Sequence, residues 1–593
     1  MPSFFDRLSS LRANFAAAGI DGVLIPRSDE HLGEYVPACA ERLAWLTGFT
    51  GSAGLAIALK DKAAIFIDGR YVTQVRGEVD GAHWTYRHVT DEPPADWLKD
   101  VAPAGARIGY DPLLIAEDAL DRIAKAVPAV TFVPLAQNPV DAIWTDRPAE
   151  PVGAVMAYPE ALAGKSAADK RGEIADILKA AGEDAAIITD PPSINWLLNI
   201  RGADVPFAPI ALGFLIIRAD ATATLFMTPE KLGAEVRKTF GNHVTVEPRT
   251  ALAAGLDGLA GKTVRVDAGA SPVWFAQRLR AAGATVTAGA DPCALPKACK
   301  NAVEQQGARD AQARDAAALC RFLHWLSVEA PAGQQTEMSA AEALVAFRAE
   351  LTEFKEESFP AISGAGEHAA IMHYRVSPES DRAIQPNEVY LIDSGAQFLD
   401  GTTDVTRTIW TGPDAAPDLL RERFTRVLQG HIGIATLRFP EGLTGAHVDG
   451  FARHALWQVG LDFDHGTGHG VGAFLSVHEG PVAISRNSRP IPIKAGMLLS
   501  NEPGYYLPGS YGIRLENLLI AQPAAARPDG VKPFLEFETI TWAPFDRALI
   551  ATPLLTDAER TWLNAYHAQV LAKVGPHLAG ASASWLQTAC APL

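Results

Sequence analysis

The chain has 593 residues, 48% of them hydrophobic and 20% charged, with a formal net charge of −17. Those proportions describe an ordinary globular protein with room for several cores. The acidic balance argues against nucleic acid as a partner, no stretch has the length of a membrane span, and five cysteines at irregular spacing form neither a disulfide framework nor a zinc ribbon.

In chain order, residues 1–19 read as an amphipathic helix without the apolar centre of a signal peptide, so a cytoplasmic location is expected. Residues 1–147 alternate helical and strand patterns, the strands including GVLIP at 22–26, LAIAL at 55–59 and AAIFIDGR at 63–70. The proline-bearing residues 147–151 read as a linker. Residues 152–295 then repeat the first part in outline. Gly19-Ile-Asp-Gly-Val-Leu-Ile precedes Trp45-Leu46, and Gly182-Glu-Asp-Ala-Ala-Ile-Ile precedes Trp196-Leu197. Their intervals differ, so this is at most a diverged duplication, and two copies fall short of a solenoid. A third part, 296–593, opens with an Ala-, Arg- and Gln-rich helical run to Trp325 and continues with a helix around 340–351. Its tail helix begins after Thr556, where Thr-Asp-Ala-Glu matches a capping box.

The third part carries the chemistry. Asp393 in VYLIDSGA, Asp404 in GTTDVTRT, His469 in HGTGHGVG, Glu502 in LSNEPGYY and Glu516 in GIRLENLL each lie in or beside an apolar run. Any one of them alone reads as a turn, loop or exposed strand residue. Together, buried carboxylates without partners are costly and call for cations. Four carboxylates and one imidazole, with no thiolate, carry charge near minus four, which two divalent cations balance, and that set points to a dinuclear hydrolytic centre. Residues 389–392 and 405–410 read as paired strands. A turn centred near Phe398 and Leu399 would bring Asp393 opposite Asp404, whereas the stronger turn signal, Asp400-Gly401, would shift them out of register unless a bulge intervenes. Arg514 and Glu516, two apart, are expected to share a face.

The order Asp, Asp, His, Glu, Glu in these surroundings resembles the pita-bread metallopeptidases, which include methionine aminopeptidase, prolidase and aminopeptidase P. The whole chain resembles the long, three-domain Xaa-Pro aminopeptidases, through residues 29–54, DGRY at 68–71, VDAIWTDRP at 140–148, NWLLNIRGADVPFAP at 195–209, and FPAISGAGEHAAIMHYR, HGTGHGVGAFLSVHEGP and NEPGYY. The resemblance implies an α+β chain: two smaller mixed α/β domains (1–147 and 152–295), then a catalytic pita-bread domain (296–593) with a curved antiparallel sheet. It implies that Asp393 chelates one metal, that His469 and Glu502 bind the other, and that Asp404 and Glu516 bridge them. His373, His465 and His478 resemble substrate-side histidines, and Arg514 and Tyr506 resemble residues lining the site. Hard ligands and the resemblance both favour two Mn2+ ions, with Co2+, Zn2+ or Fe2+ also compatible.

The expected reaction is release of the first residue from peptides with proline second, by attack of a hydroxide held between the cations. Glu502 is the expected proton shuttle, and His373 or His478 the oxyanion stabiliser. The partners implied are Xaa-Pro peptides and a second copy in a homodimer, with neither nucleic acid nor membrane. A prolidase, restricted to Xaa-Pro dipeptides, would share the ligand set; a non-catalytic pita-bread binding protein typically loses ligands. Gly468-His-Gly-Val-Gly-Ala473 also fits a dinucleotide fingerprint, but no strong βαβ unit surrounds it.

Overall fold

The computed structural model describes residues 2–526 and 528–593. The chain divides into two compact units, residues 1–160 with 165–294, and residues 161–164 with 295–593.

Within the first unit, two six-stranded sheets follow one plan. The first runs in the order Thr85–His88, Ala63–Ile67, Leu55–Leu59, Gly22–Pro26, Arg107–Tyr110, Thr131–Pro134. The second runs Val244–Glu247, Ala223–Phe226, Phe214–Arg218, Ala185–Ile188, Thr263–Val266, Thr285–Ala288. In both, the second to fourth strands pair antiparallel and the flanking pairs are parallel. The repeated Gly-x-Asp has the same task in each copy. A helix ends at Gly19 or Gly182, and the aspartate two residues on clamps the start of the neighbouring parallel strand. Asp21 donates its N–H to Arg107 O at 2.7 Å and accepts from Arg107 N at 2.9 Å; Asp184 treats Thr263 alike, at 2.8 and 2.8 Å. Trp45-Leu46 and Trp196-Leu197 both lie in the helix that follows the first strand, Arg42–Thr47 and Pro191–Leu198. The duplication therefore holds at the level of topology, and the unequal interval reflects extra residues, 27–41, before that helix in the first copy.

In the second unit the strands pair antiparallel throughout. Ile362–Ala365, Val389–Ser394 and Val405–Trp410 form one sheet. Arg438–Pro440, Phe534–Thr539, Asn517–Pro523, Leu498–Asn501, Gly468–Gly470 and Glu479–Ile484 form another. The helices Ala302–Glu329, Asp418–Ala435 and Asp557–Val574 bury their apolar stripes against the first sheet in one core, where Phe322, Phe424, Leu428, Leu563 and Val570 meet Tyr390, Ile392 and Val405. Each such fully buried Leu or Phe contributes roughly 2 kcal/mol. The capping residues set the helix starts. Asn301 and Glu304 form a capping box, so the first helix begins at Ala302 and runs on past Trp325 to Glu329. Thr556 and Glu559 form the expected box before Asp557.

The hairpin register resolves the question left by the sequence. Asp393 pairs with Thr406, and Phe398 with Gly401, in one unbroken register, so the turn residues are Leu399 and Asp400. That lies midway between the two turns the sequence offered and needs no bulge. Gly401 is not a turn glycine: a Cβ there would lie 2.9 Å from that of Ala311, so the residue is small because the helix Ala302–Glu329 packs on it.

One side chain ties the second unit together. Arg407, 1% exposed, donates to Thr406 O, Glu516 O, Ala543 O, Pro544 O, Asn517 Oδ1 and the Tyr566 hydroxyl at 2.6–3.1 Å. Replacing Arg407 with Met strands several buried acceptors at about 1–3 kcal/mol each, so urea denaturation is expected to show a loss of at least about 3 kcal/mol. A loss under about 1 kcal/mol would contradict this role.

Candidate metal centre

Two hairpins carry the acidic residues in pairs. Across Val389–Ser394 and Val405–Trp410, Asp393 faces Thr406, so Asp404, two residues before Thr406, is its diagonal neighbour on the same face. The second hairpin joins Leu498–Asn501 to Asn517–Pro523 and Gly504–Leu507 to Tyr511–Arg514. Asn501 pairs with Asn517 and Gly504 with Arg514, a common register that sets Glu502 across from Glu516. The hairpins meet at Thr406 and Thr408. Glu516 N–H donates to Thr406 O at 3.2 Å, Thr406 Oγ1 donates to Glu516 Oε2 at 2.8 Å, and Thr408 Oγ1 donates to Arg514 O at 2.9 Å. Arg514 Nε also reaches Thr406 Oγ1, at 3.3 Å, so Arg514 and Glu516 share a face as expected.

His469 enters from the short strand Gly468–Gly470, wedged between Leu498–Asn501 and Glu479–Ile484. A Cβ on Gly468 would lie 2.0 Å from Ser500 O, and one on Gly470 2.2 Å from Glu479 O. The glycines that resembled a dinucleotide fingerprint are there because two backbones press on the histidine strand. Ser500 fixes the rest, accepting from His469 N–H at 2.9 Å and donating to Glu502 Oε1 at 3.1 Å. His469 Nδ1 is bonded to Gly470 O at 2.9 Å, so it carries the proton and leaves the Nε2 lone pair available to a cation. Nε2 lies 3.4 Å from Asp404 Oδ2 and 3.3 Å from Glu502 Oε1.

The donor set fits divalent cations. Ligand atoms of Asp404, His469 and Glu516 lie within 4.8 Å of one another. Asp393 Oδ1 is buried and has no hydrogen-bond partner, a costly state that a cation removes. The protonation tendencies agree. Burial drives Glu516 well above the ordinary carboxylate range, helped by Asp404, Glu502 and Asp393. Burial likewise raises Asp393, against the pull of Arg514. Burial and then the opposing charge of His469 leave Glu502 at about 7. Burial depresses His469, but the Asp404 hydrogen bond and the charge of Glu502 outweigh it and lift the imidazole to about 9.

A polar chain leads outward from Asp393. Arg514 Nη2 donates to Asp393 Oδ2 at 2.5 Å, Arg514 Nη1 to the Tyr506 hydroxyl at 2.8 Å, and that hydroxyl lies 2.9 Å from His465 Nε2. His465 Nδ1 bonds Gly466 O at 2.7 Å, so Nε2 accepts from Tyr506. The structure thus brings His465, Tyr506 and Arg514 into one chain with the carboxylates. His478 packs edge-to-face on His469 with ring centroids 4.3 Å apart. His373 is half-buried just past the turn Gly366–Ala370, which packs on the strand Tyr511–Arg514. The sequence reading missed the supports: Thr406 and Arg407, which sit inside the quoted GTTDVTRT, and Arg453. Arg453 is held by Asp449 and donates to Phe463 O at 2.6 Å and His465 O at 2.7 Å, fixing the His465 loop.

Family models match along the chain: Creatinase/Prolidase N-terminal domain at 7–143 and again at 146–304, Metallopeptidase family M24 at 306–523, and the C-terminal region of peptidase M24 at 533–593. The chain belongs to metallopeptidase family M24, with paired creatinase-type domains ahead of a pita-bread domain. Among its relatives, Aminopeptidase P2 of Arabidopsis thaliana is 38% identical over 99% of this chain and 88% of that protein. A probable Xaa-Pro aminopeptidase P of Laccaria bicolor is 39% identical over 99% and 93%. The crystal structure of X-prolyl aminopeptidase from Caenorhabditis elegans, described as a cytosolic enzyme with a di-nuclear active site, superposes with a TM-score of 0.95 at 33% identity, covering 100% of both chains.

The tendencies fix a pH dependence. The metal-free native site holds more protons than the unfolded chain, because Glu502 rises from 4.5 to about 7 and His469 from 6.5 to about 9. Both groups therefore add stability that is present in acid and lost as pH rises through their native values. Protons and cations compete for these atoms. The gain in Tm on adding Mn2+ is expected to grow steadily as pH rises from about 5 to about 8, read by thermal unfolding of metal-free and loaded protein. A gain independent of pH would contradict the site.

Proposed function

We propose that the protein is an Xaa-Pro aminopeptidase with a dinuclear metal centre. One observation carries the reading: the similarity to relatives named for this activity runs the full length of the chain, through both creatinase-type domains and the pita-bread domain. Asp393 would chelate one cation, His469 and Glu502 the other, and Asp404 and Glu516 would bridge the two. Bound there, the cations supply the Lewis acidity that makes water a nucleophile near neutral pH. The hard oxygen set favours Mn2+ in both positions.

The chain's own groups do the rest. Glu502 takes the proton of the attacking water and returns it to the leaving nitrogen. That nitrogen is proline's, a tertiary amide that must be protonated to depart. His478 or His373 donates to the carbonyl oxygen as charge develops on it. His465, oriented by Tyr506 and Arg514, contacts the substrate, and a free substrate amine near Asp393 confines cleavage to the first bond. We further propose domain limits of 1–147, 152–295 and 296–593, a homodimer, and a cytoplasmic location. The similar nematode enzyme is described as cytosolic, and among the described residues no helix is long and apolar enough to cross a membrane.

Mass spectrometry of products from Arg-Pro-Pro, Arg-Ala-Ala and Ala-Pro tests the reading, with metal-free and Mn2+-loaded protein. Metal-dependent release of arginine from Arg-Pro-Pro alone is expected. Cleavage confined to Ala-Pro would make the protein a prolidase, and no cleavage under any divalent metal would overturn the enzymatic reading. Asp404→Ala and Glu516→Ala are each expected to lose bound metal and activity together, measured by elemental analysis beside turnover. His373→Ala should lose turnover and keep its metal.

A further inference from the structure

Residues 366–388, between the strands Ile362–Ala365 and Val389–Ser394, carry His373 and hold no regular element beyond the turn Gly366–Ala370. A single buried carboxylate organises this stretch. Glu337, the first residue of the helix Glu337–Ala349, is 0% exposed. Its Oε1 accepts from Ala365 N–H at 2.7 Å and its Oε2 from the Tyr374 hydroxyl at 2.8 Å, while His368 Nδ1 lies 3.0 and 2.9 Å from the two oxygens. Its backbone joins in, with Glu337 N–H donating to Arg382 O at 3.0 Å and Glu337 O accepting from Ser363 Oγ at 2.6 Å.

The loop is thus pinned where it begins, at His368, at Tyr374 next to His373, and again at Arg382. The pinned turn also presses on the strand Tyr511–Arg514, which carries Arg514: a Cβ on Gly512 would lie 1.8 Å from Ala369 O. An apolar side chain would fill the space beneath the loop at less cost than a buried carboxylate, but it would not gather two donors of the loop, His368 and Tyr374, onto the strand end at Ala365. Held side chains with locked surroundings are what a reacting geometry requires.

We propose that Glu337 and Tyr374 are positioning residues that fix the orientation of His373 toward the scissile bond, an inference that rests on the Xaa-Pro aminopeptidase reading. Tyr374→Phe removes one hydroxyl and keeps the ring, and Glu337→Gln keeps size while losing one acceptor. Each is expected to lower kcat on Arg-Pro-Pro by about tenfold to a hundredfold, with KM and the metal-to-protein ratio near wild type. In a His373→Ala background, Tyr374→Phe should have no further effect, because both changes act through one group. The NMR signal of the His373 imidazole should shift in both single variants.

A Tyr374→Phe variant with wild-type kcat, or one whose effect persists in full beside His373→Ala, would overturn the proposal. If Glu337→Gln does not fold, Tyr374→Phe alone decides. If wild-type protein releases nothing from Arg-Pro-Pro, the functional reading has failed, and the imidazole signal then judges the positioning claim: an unmoved signal in Tyr374→Phe refutes it, a shift upholds it.

Discussion

Like-charge repulsion in a confined space is the constraint around which the second unit is built. Asp393, Asp404 and Glu516 are nearly buried, and Glu502 stands beside them. Among the described residues the arginine paired with them, Arg514, places its charge on Asp393. Such a cluster raises its own proton affinity and pulls in cations. The protein holds it together by making each pair of acids part of a hairpin and by fastening the hairpins through Thr406, Thr408 and Arg407. Backbone pairing, which is indifferent to charge, does the holding.

Much of this was legible in the sequence, and the physical reasons are particular. The five ligand residues stand in apolar runs, and burial of several acids in one chain has few explanations other than cations. The shared face of Arg514 and Glu516 follows from strand alternation alone. The duplication was visible as Gly-x-Asp before an apolar run because the aspartate accepts from the first N–H of a neighbouring strand in each copy. The turn between Asp393 and Asp404 was not legible, because Gly401 is demanded by helix packing rather than by turn geometry, and a glycine looks the same in either role.

The supports were less visible still. Nothing in GTTDVTRT separates Arg407, a fully buried hub, from an exposed strand arginine. Arg453 and Glu337 sit on helices at a distance in sequence from the segments they hold, His465 and the loop 366–388. Single-sequence reasoning finds groups that do chemistry because chemistry restricts residue type. It finds poorly the groups that aim them, because any donor or acceptor at the right place would serve.

The paired hairpins also bear on how the centre comes into being. Asp393 and Asp404 are brought together by a two-residue turn, and Glu502 and Glu516 by another local reversal, so each half of the ligand set needs only its own arms to pair. His469 belongs to neither half, and its strand lies between Leu498–Asn501 and Glu479–Ile484. The centre thus joins two locally closed pairs of acids to an imidazole held between strands of the second pair's sheet.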